Sequence, residues 1–378
     1  MATSKTITLR WGIISTGWIA SCFIKDLLVD PKSRNVHDVA HKVTAVGSRT
    51  VERAKEFIDK FANGDQSIAP YGTYQEVFDD KNVDAVYIGT PHTVHYETAL
   101  DAIKAGKHVL CEKPVTSNAA ELRSLLAAAK EHKVFFMEAM WTRFQPLALE
   151  VKRIAEEGSL GKPVVLHADL SGDFDVENIP KTHRILDPNL GGGALLDLGP
   201  YPLVWAIIAL YENPANNKAQ PTTITGNMLK TPLTGVDSST AFTLSFSPTE
   251  TSGSSLAAQA ILSCSITLDA PKPGVTIRFE RGTITIDPPI YCPKLFKVSY
   301  LNKGNKSGGA TEGTLERTFE YVGKGWHFQA DEVARCVRDG KLESDSWGHD
   351  KSLLEMYIFD EVRKQGGYIF PPGVEKVV

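Results

Sequence analysis

The sequence predicts an α/β protein of two domains, an N-terminal doubly wound parallel sheet followed by an α+β domain with a large, mostly antiparallel open sheet. Three observations carry this expectation. Short apolar, β-rich runs alternate with helical periodicity through residues 6–137. After Gly158 the alternation stops, and β-rich runs follow one another with polar loops between them. A chain of 378 residues is also too long for one ordinary core. The boundary is expected near residue 145, giving domains 1–145 and 146–378.

The first strand is 6–15 (TITLRWGIIS), closed by Ser15, Thr16, Gly17, Trp18, Ile19 and Ala20 before the helical pattern of 24–29. Further strands are expected at 42–47, 84–89, 108–111 and 134–137, with helices over 96–105 and 119–132. Five or six such units make a doubly wound sheet. Residues 138–146 (EAMWTRFQP) leave the last of these strands, and a helix follows over 147–157. In the C-terminal half, strands are expected at 164–170, 222–229, 241–246, 257–268, 275–279, 282–286 and 297–301. Polar loops at 213–220, 247–255 and 302–312 punctuate them, and 325–339 and 351–364 read as helices. One face of that sheet can pack on helices, and the other is a route to a homodimer.

Composition narrows the function. With 42% hydrophobic and 23% charged residues and a net charge of -4, the chain lacks the basic field that nucleic acid would require. Residues 1–10 lack the apolar core of a secretory signal, and no stretch is read as approaching the ~20 apolar residues of a membrane span, so a cytoplasmic protein is expected. Cys22, Cys111, Cys264, Cys292 and Cys336 are odd in number and scattered, which suggests reduced packing residues and no metal site.

The turn at 15–20 resembles the Gly-x-Gly-x-x-Gly/Ala dinucleotide motif, in which small residues let backbone N–H groups and a helix N-terminus meet a pyrophosphate. Ser15 stands where the first glycine would be. At the end of the second strand no carboxylate awaits the adenosine ribose. Ser48, Arg49 and Arg53 stand there instead, and the fork of Arg49 suits a 2′-phosphate, so NADP is expected over NAD. The loop with Thr90, Pro91, His92 and His95 lies where the nicotinamide half would pass, and one of the two histidines is expected to be structural. Lys113, in Glu112-Lys113-Pro114, follows a parallel strand and so points to the ligand crevice. Glu112, Trp141 and Arg143 are assigned to the cofactor side as well, and Trp141 and Phe144 offer aromatic faces for a nicotinamide or a sugar. Residues 190–201 (LGGGALLDLGPY) place Asp197 and Tyr201 at i and i+4 on one helix face. If that face meets Lys113, the ammonium favours tyrosinate and Tyr201 becomes a base for a substrate hydroxyl, with Asp197 orienting substrate or lysine.

Taken together, GIISTGWIA, TPHTVHY, CEKP, EAMWTRFQP and GGGALLDLGPY resemble the glucose-fructose oxidoreductase, inositol dehydrogenase and rhizopine-catabolism family, across nearly the whole chain. Within it the WTRF segment and Tyr201 resemble the branch of fungal NADP-dependent D-xylose dehydrogenases and dimeric dihydrodiol dehydrogenases. The resemblance implies a Rossmann domain, Lys113 and Tyr201 in catalysis with Asp197 in support, and Trp141, Arg143 and Phe144 near the substrate. It further implies oxidation of an aldopyranose at C1, most simply D-xylose to its lactone, without a metal. Two rivals are a trans-dihydrodiol dehydrogenase, which shares these motifs, and a nucleotide-sensing transcriptional co-regulator, against which the presence of both Lys113 and Tyr201 argues.

Overall fold

Strand β1 (Ile7–Ile14) alternates until Leu9 and is then buried almost continuously, as a central parallel strand covered on both faces must be. In the computed structural model, which describes residues 6–301 and 311–378, it pairs in parallel with β2 (Val39–Gly47) on one side and β4 (Ala85–Ile88) on the other. With β3 (Ala69–Tyr71), β5 (His108–Glu112) and β6 (Phe136–Ala139) the order is β3-β2-β1-β4-β5-β6, every pairing parallel. The order reverses between β1 and β4, which opens a crevice at their C-terminal ends. Helices α1 (Trp18–Leu27), α2 (Val51–Phe61), α3 (Tyr74–Asp79), α4 (His95–Lys104) and α5 (Ala119–His132) connect the strands. Local chemistry sets their starts: Thr73 and Glu76 form a capping box on α3, and the Asn118 side chain accepts from Glu121 N–H on α5. A Cβ on Gly12 would lie 2.6 Å from Val77, so only glycine lets α3 approach β1 this closely.

The described residues up to Trp141 form a first unit together with Tyr321–Leu353 and Glu375–Val378. Helix α9 (Trp326–Arg338) therefore packs beside α1, β1 and β2 although it lies far along the chain. Buried Asp26, near the end of α1, accepts hydrogen bonds at its Oδ2 from the backbone N–H groups of Lys324, Gly325 and Trp326 at 2.9, 2.7 and 2.9 Å. Asp331 of α9 binds Arg34 at 2.8 Å and His41 at 2.9 Å, and Arg335 pairs with Asp38 at 2.9 Å.

The second unit, Thr142–Glu320 with Leu354–Val374, carries an eight-stranded sheet in the order β14-β13-β12-β11-β7-β10-β9-β8. Its strands are β7 (Pro163–Ser171), β8 (Thr223–Lys230), β9 (Asp237–Phe246), β10 (Ala258–Ser265), β11 (Val275–Phe279), β12 (Gly282–Ile286), β13 (Leu295–Leu301) and β14 (Thr311–Thr318). Among the described residues, only β7 and β10 pair in parallel in this sheet. The loop expected at 302–312 lies, for 302–310, outside the described residues, and Thr311 already opens β14. Helix α6 (Pro146–Glu157) starts this unit, with Pro146 in its first turn and Gly158 closing it at φ 80°.

Helices α7 (Ala194–Leu198) and α8 (Pro200–Ala206) lie within one helical run, Pro188–Tyr211, that packs against β7, β9 and β10. This run corrects the expectation that no stretch approaches a membrane span: it is long and apolar enough for one. Its apolar window is wholly buried, as in the core helix of a globular unit. Outward from the sheet, one row reads Thr225, Thr243, Ile261, His167, Thr276, Thr285, Lys297 and Glu316 from edge to edge. At the β8 edge, the Gln365 side chain at the end of α10 (His349–Gln365) accepts from Gly226 N–H at 2.8 Å and donates to the Ile224 carbonyl at 3.0 Å. It occupies the backbone groups that another strand would use.

Candidate active site

At the switch point of the parallel sheet, Ser15 adopts φ 90°, the left-handed side that a glycine takes without strain, and its Oγ accepts from Gly17 N–H at 3.2 Å. Gly17 starts α1 with no side chain capping the helix, so the first N–H groups are open to an anion, and Trp18 beside them is 74% exposed. Ile19 is half-buried and packs near Gly89, where a Cβ would lie 2.9 Å from the Tyr87 ring. Thr16 Oγ1 lies 3.0 Å from Ser48 Oγ, which joins the turn to the end of β2. Arg49 and Arg53 are exposed there, and Thr50 caps α2 by accepting from Arg53 N–H. An uncapped helix start, glycine-close packing and a serine and arginine at the strand end fit the diphosphate and 2′-phosphate of NADP.

After β4, Thr90 is buried and Pro91 exposed. His95 is fully buried, with Nδ1 2.9 Å from the Pro114 carbonyl and Nε2 2.9 Å from the Thr90 carbonyl. It thereby ties this loop to the Lys113 turn. Burial lowers its pKa, so it is the structural member of the pair, while His92, half-buried, packs edge-on to it at 5.9 Å.

The Lys113 turn is held from below by carboxyl groups. Glu112 is buried, and its Oε1 accepts from the Tyr87 hydroxyl at 2.7 Å. Desolvation pushes its carboxyl up to about 7 against the Tyr87 hydrogen bond and the Lys113 charge, which act the other way. The Glu112 carboxyl is thus buried directly before Lys113, the position assigned to the cofactor side. Glu138 accepts from Val115 N–H at 3.1 Å, Trp347 Nε1 at 3.1 Å and Ser352 Oγ at 2.6 Å. Lys113 itself is half-buried. Trp141 stacks on Trp326 of α9 with ring centroids 4.2 Å apart and planes 7° off parallel.

In the second unit, Arg143 is buried and its Nη2 lies 3.2 Å from Glu212, which leaves Nε and Nη1 without a hydrogen-bond partner among the described residues. Phe144 is buried beside it. Asp197 and Tyr201 straddle Gly199 and Pro200, yet Gly199 keeps helical dihedrals, φ -55° and ψ -31°, so the i and i+4 relation survives. Both are buried. Tyr201 packs 5.5 Å from the Tyr291 ring, and Asp197 Oδ1 lies 3.0 Å from Arg184 Nη1. Arg184, Tyr291, Glu212 and Tyr87 were missed by the sequence reading, because each matters only through a partner distant along the chain. Among the described residues, no group of three or more His, Cys, Asp or Glu side chains has the arrangement of a metal site.

A helix N-terminus open to phosphate, at the switch point of a 3-2-1-4-5-6 sheet, defines a dinucleotide-binding α/β protein. The chain belongs to the Gfo/Idh/MocA oxidoreductases: residues 9–140 match the oxidoreductase family with the NAD-binding Rossmann fold, and residues 148–285 match the GFO/IDH/MocA C-terminal domain. It is 38% identical to a D-xylose 1-dehydrogenase (NADP(+)) of Hypocrea jecorina, covering 98% of this chain and 95% of that one. It is 33% identical to the trans-1,2-dihydrobenzene-1,2-diol dehydrogenase of Homo sapiens, covering 97% and 99%. Among solved structures, an aldose-aldose oxidoreductase from Caulobacter crescentus complexed with glycerol superposes with a TM-score of 0.76, over 96% of this chain and 98% of that one at 21% identity, a likeness of fold.

Proposed function

We propose that the chain is an NADP-dependent dehydrogenase that oxidises an aldopyranose at C1, with D-xylose as first substrate and D-xylono-1,5-lactone as product. The observation that carries this reading is the 38% identity, over 98% of this chain, to the D-xylose 1-dehydrogenase (NADP(+)) of Hypocrea jecorina. Ser48 and Arg49 at the end of β2 support NADP over NAD. Bound NADP supplies the hydride acceptor. Tyr201 takes the proton of the C1 hydroxyl, the C1–O bond becomes a carbonyl as hydride leaves C1, and the Lys113 ammonium stabilises the oxygen while charge develops on it. Asp197 orients the base, and Trp141, Arg143 and Phe144 shape the substrate side.

A second reading, trans-dihydrodiol dehydrogenase, is favoured by the 33% identity to the human enzyme. A third, a nucleotide-sensing co-regulator, predicts cofactor binding without turnover. Mixing protein and NADP with D-xylose, D-glucose or a trans-dihydrodiol, and following reduced-nicotinamide absorbance, separates all three. D-Xylose as the preferred substrate supports the proposal, and no reaction with any of them defeats it. Lys113→Met and Tyr201→Phe are each expected to lower turnover at least ~10³-fold and leave NADP affinity within a few-fold, since each removes a group acting in the transition state. The threonine-rich outer row of the large sheet supports a homodimer through that face, measurable by sedimentation. A cytoplasmic location accords with five free cysteines, and the net charge of -4 speaks against nucleic acid as a partner.

A further inference from the structure

Arg184 belongs to no motif in the sequence, yet its Nη1 lies 3.0 Å from Asp197 Oδ1. The guanidinium is half exposed and the carboxylate is buried. A pair that open to water contributes little to stability, so its place on the helix face that carries Tyr201 calls for another reason. Asp197 alone would oppose ionisation of Tyr201, because a carboxylate one turn away repels a phenolate. Arg184 reverses that field. Asp197 is the main cause of the rise in the pKa of Arg184, and Tyr201 adds to it in the same direction. The attraction is reciprocal, so the guanidinium favours tyrosinate by the free energy that tyrosinate gives the guanidinium. Tyr291 also faces Tyr201, but burial pushes its phenol up and keeps it neutral, and Cys292 beside it adds in the same direction.

We propose that Arg184 is a positioning residue for Tyr201: clamped by Asp197, it neutralises that carboxylate and lends the phenol oxygen a positive potential from within the second unit. The inference rests on the reading of Tyr201 as the base in the dehydrogenase proposed above. Its test is the ionisation of Tyr201 in the full chain, with and without NADP, read as the tyrosinate ultraviolet difference against Tyr201→Phe, beside the pH profile of kcat with D-xylose. Arg184→Met is expected to move both the tyrosinate titration and the acid limb of kcat upward by about one pH unit. Turnover on that limb should fall about tenfold and converge with the unchanged protein at high pH. Arg184→Lys, which keeps the charge, should restore most of the shift and serves if the methionine variant fails to fold. An unmoved titration in Arg184→Met overturns the proposal, as does a loss of turnover equal at every pH. If the titration moves but no sugar or diol is oxidised, the pairing stands and the dehydrogenase reading falls; if D-xylose is oxidised and the titration is unmoved, Arg184 alone loses its role.

Discussion

Replacing Asp26 should show how strongly the first unit depends on a residue that no motif contains. One carboxylate oxygen accepts from the N–H groups of Lys324, Gly325 and Trp326 at 2.9, 2.7 and 2.9 Å, in a site where Asp26 is 5% exposed. Gly323 approaches so closely that a Cβ there would lie 2.5 Å from the other oxygen. Asp26→Ala leaves these donors at the start of α9 without an acceptor, at about 1–3 kcal/mol for each well-buried group, and Lys324 is only partly buried. The summed loss is about 3–5 kcal/mol, at the upper end for a single substitution. Asp26→Asn keeps an acceptor at the same place and gives up the charge, so its loss should be about 1–2 kcal/mol. Urea unfolding monitored by tryptophan fluorescence measures both, and near-ultraviolet circular dichroism reports the Trp141–Trp326 stack that this contact orients. An Asp26→Ala loss below about 1 kcal/mol would refute the reasoning, because water would then be serving these donors as well as the carboxylate does.

The buried Glu112 makes stability pH-dependent. Its carboxyl is raised to about 7 from 4.5, so the neutral form is the one the fold accommodates, and its contribution is present below about pH 4.5 and lost as pH rises through 7. Between pH 5 and 7.5 the unchanged protein should lose about 2 kcal/mol relative to Glu112→Gln, read as the difference of two denaturation curves; parallel curves would contradict the assignment. Arg49→Ala should weaken NADP about 10–100-fold and leave NAD within a factor of two, measured by fluorescence titration; equal losses for both nucleotides would place the 2′-phosphate elsewhere.

Much of the first unit was legible because its strands are buried on both faces and helices such as 96–105 and 119–132 carry apolar periodicity, whereas the short helices α2 and α3, capped by Thr50 and Thr73, were not read. Helix 119–132 was read to the residue, as were strands 275–279 and 282–286, where hydrophobic alternation is strict. Strand β3 escaped notice because it has three residues and contains Pro70, which an edge strand tolerates and a sequence pattern counts against. The return of α9 to the first unit was illegible for another reason. Its amphipathic pattern shows that one face is buried and does not say against which sheet, and the contacts that decide it, Asp26 to the Trp326 turn and Asp331 to Arg34, join residues remote in sequence. The phosphate turn, the Arg49 strand end and the Asp197–Tyr201 spacing were visible as motifs. Arg184 and Tyr87 were not, since a lone arginine in an irregular segment and a tyrosine in a buried strand look ordinary until their partners are placed.

The first unit begins to be synthesised early and is completed late. Its sheet has been translated by Ala139, but the helix that covers β1 and β2 and ties down the tail of α1 arrives only with residues 326–338. While the ribosome makes the whole intervening sheet, the first sheet waits with an apolar flank uncovered, a period in which a nascent chain is open to aggregation and to chaperones. A gene fragment that stops near residue 320 should therefore yield insoluble protein even though every strand of the nucleotide-binding sheet is present.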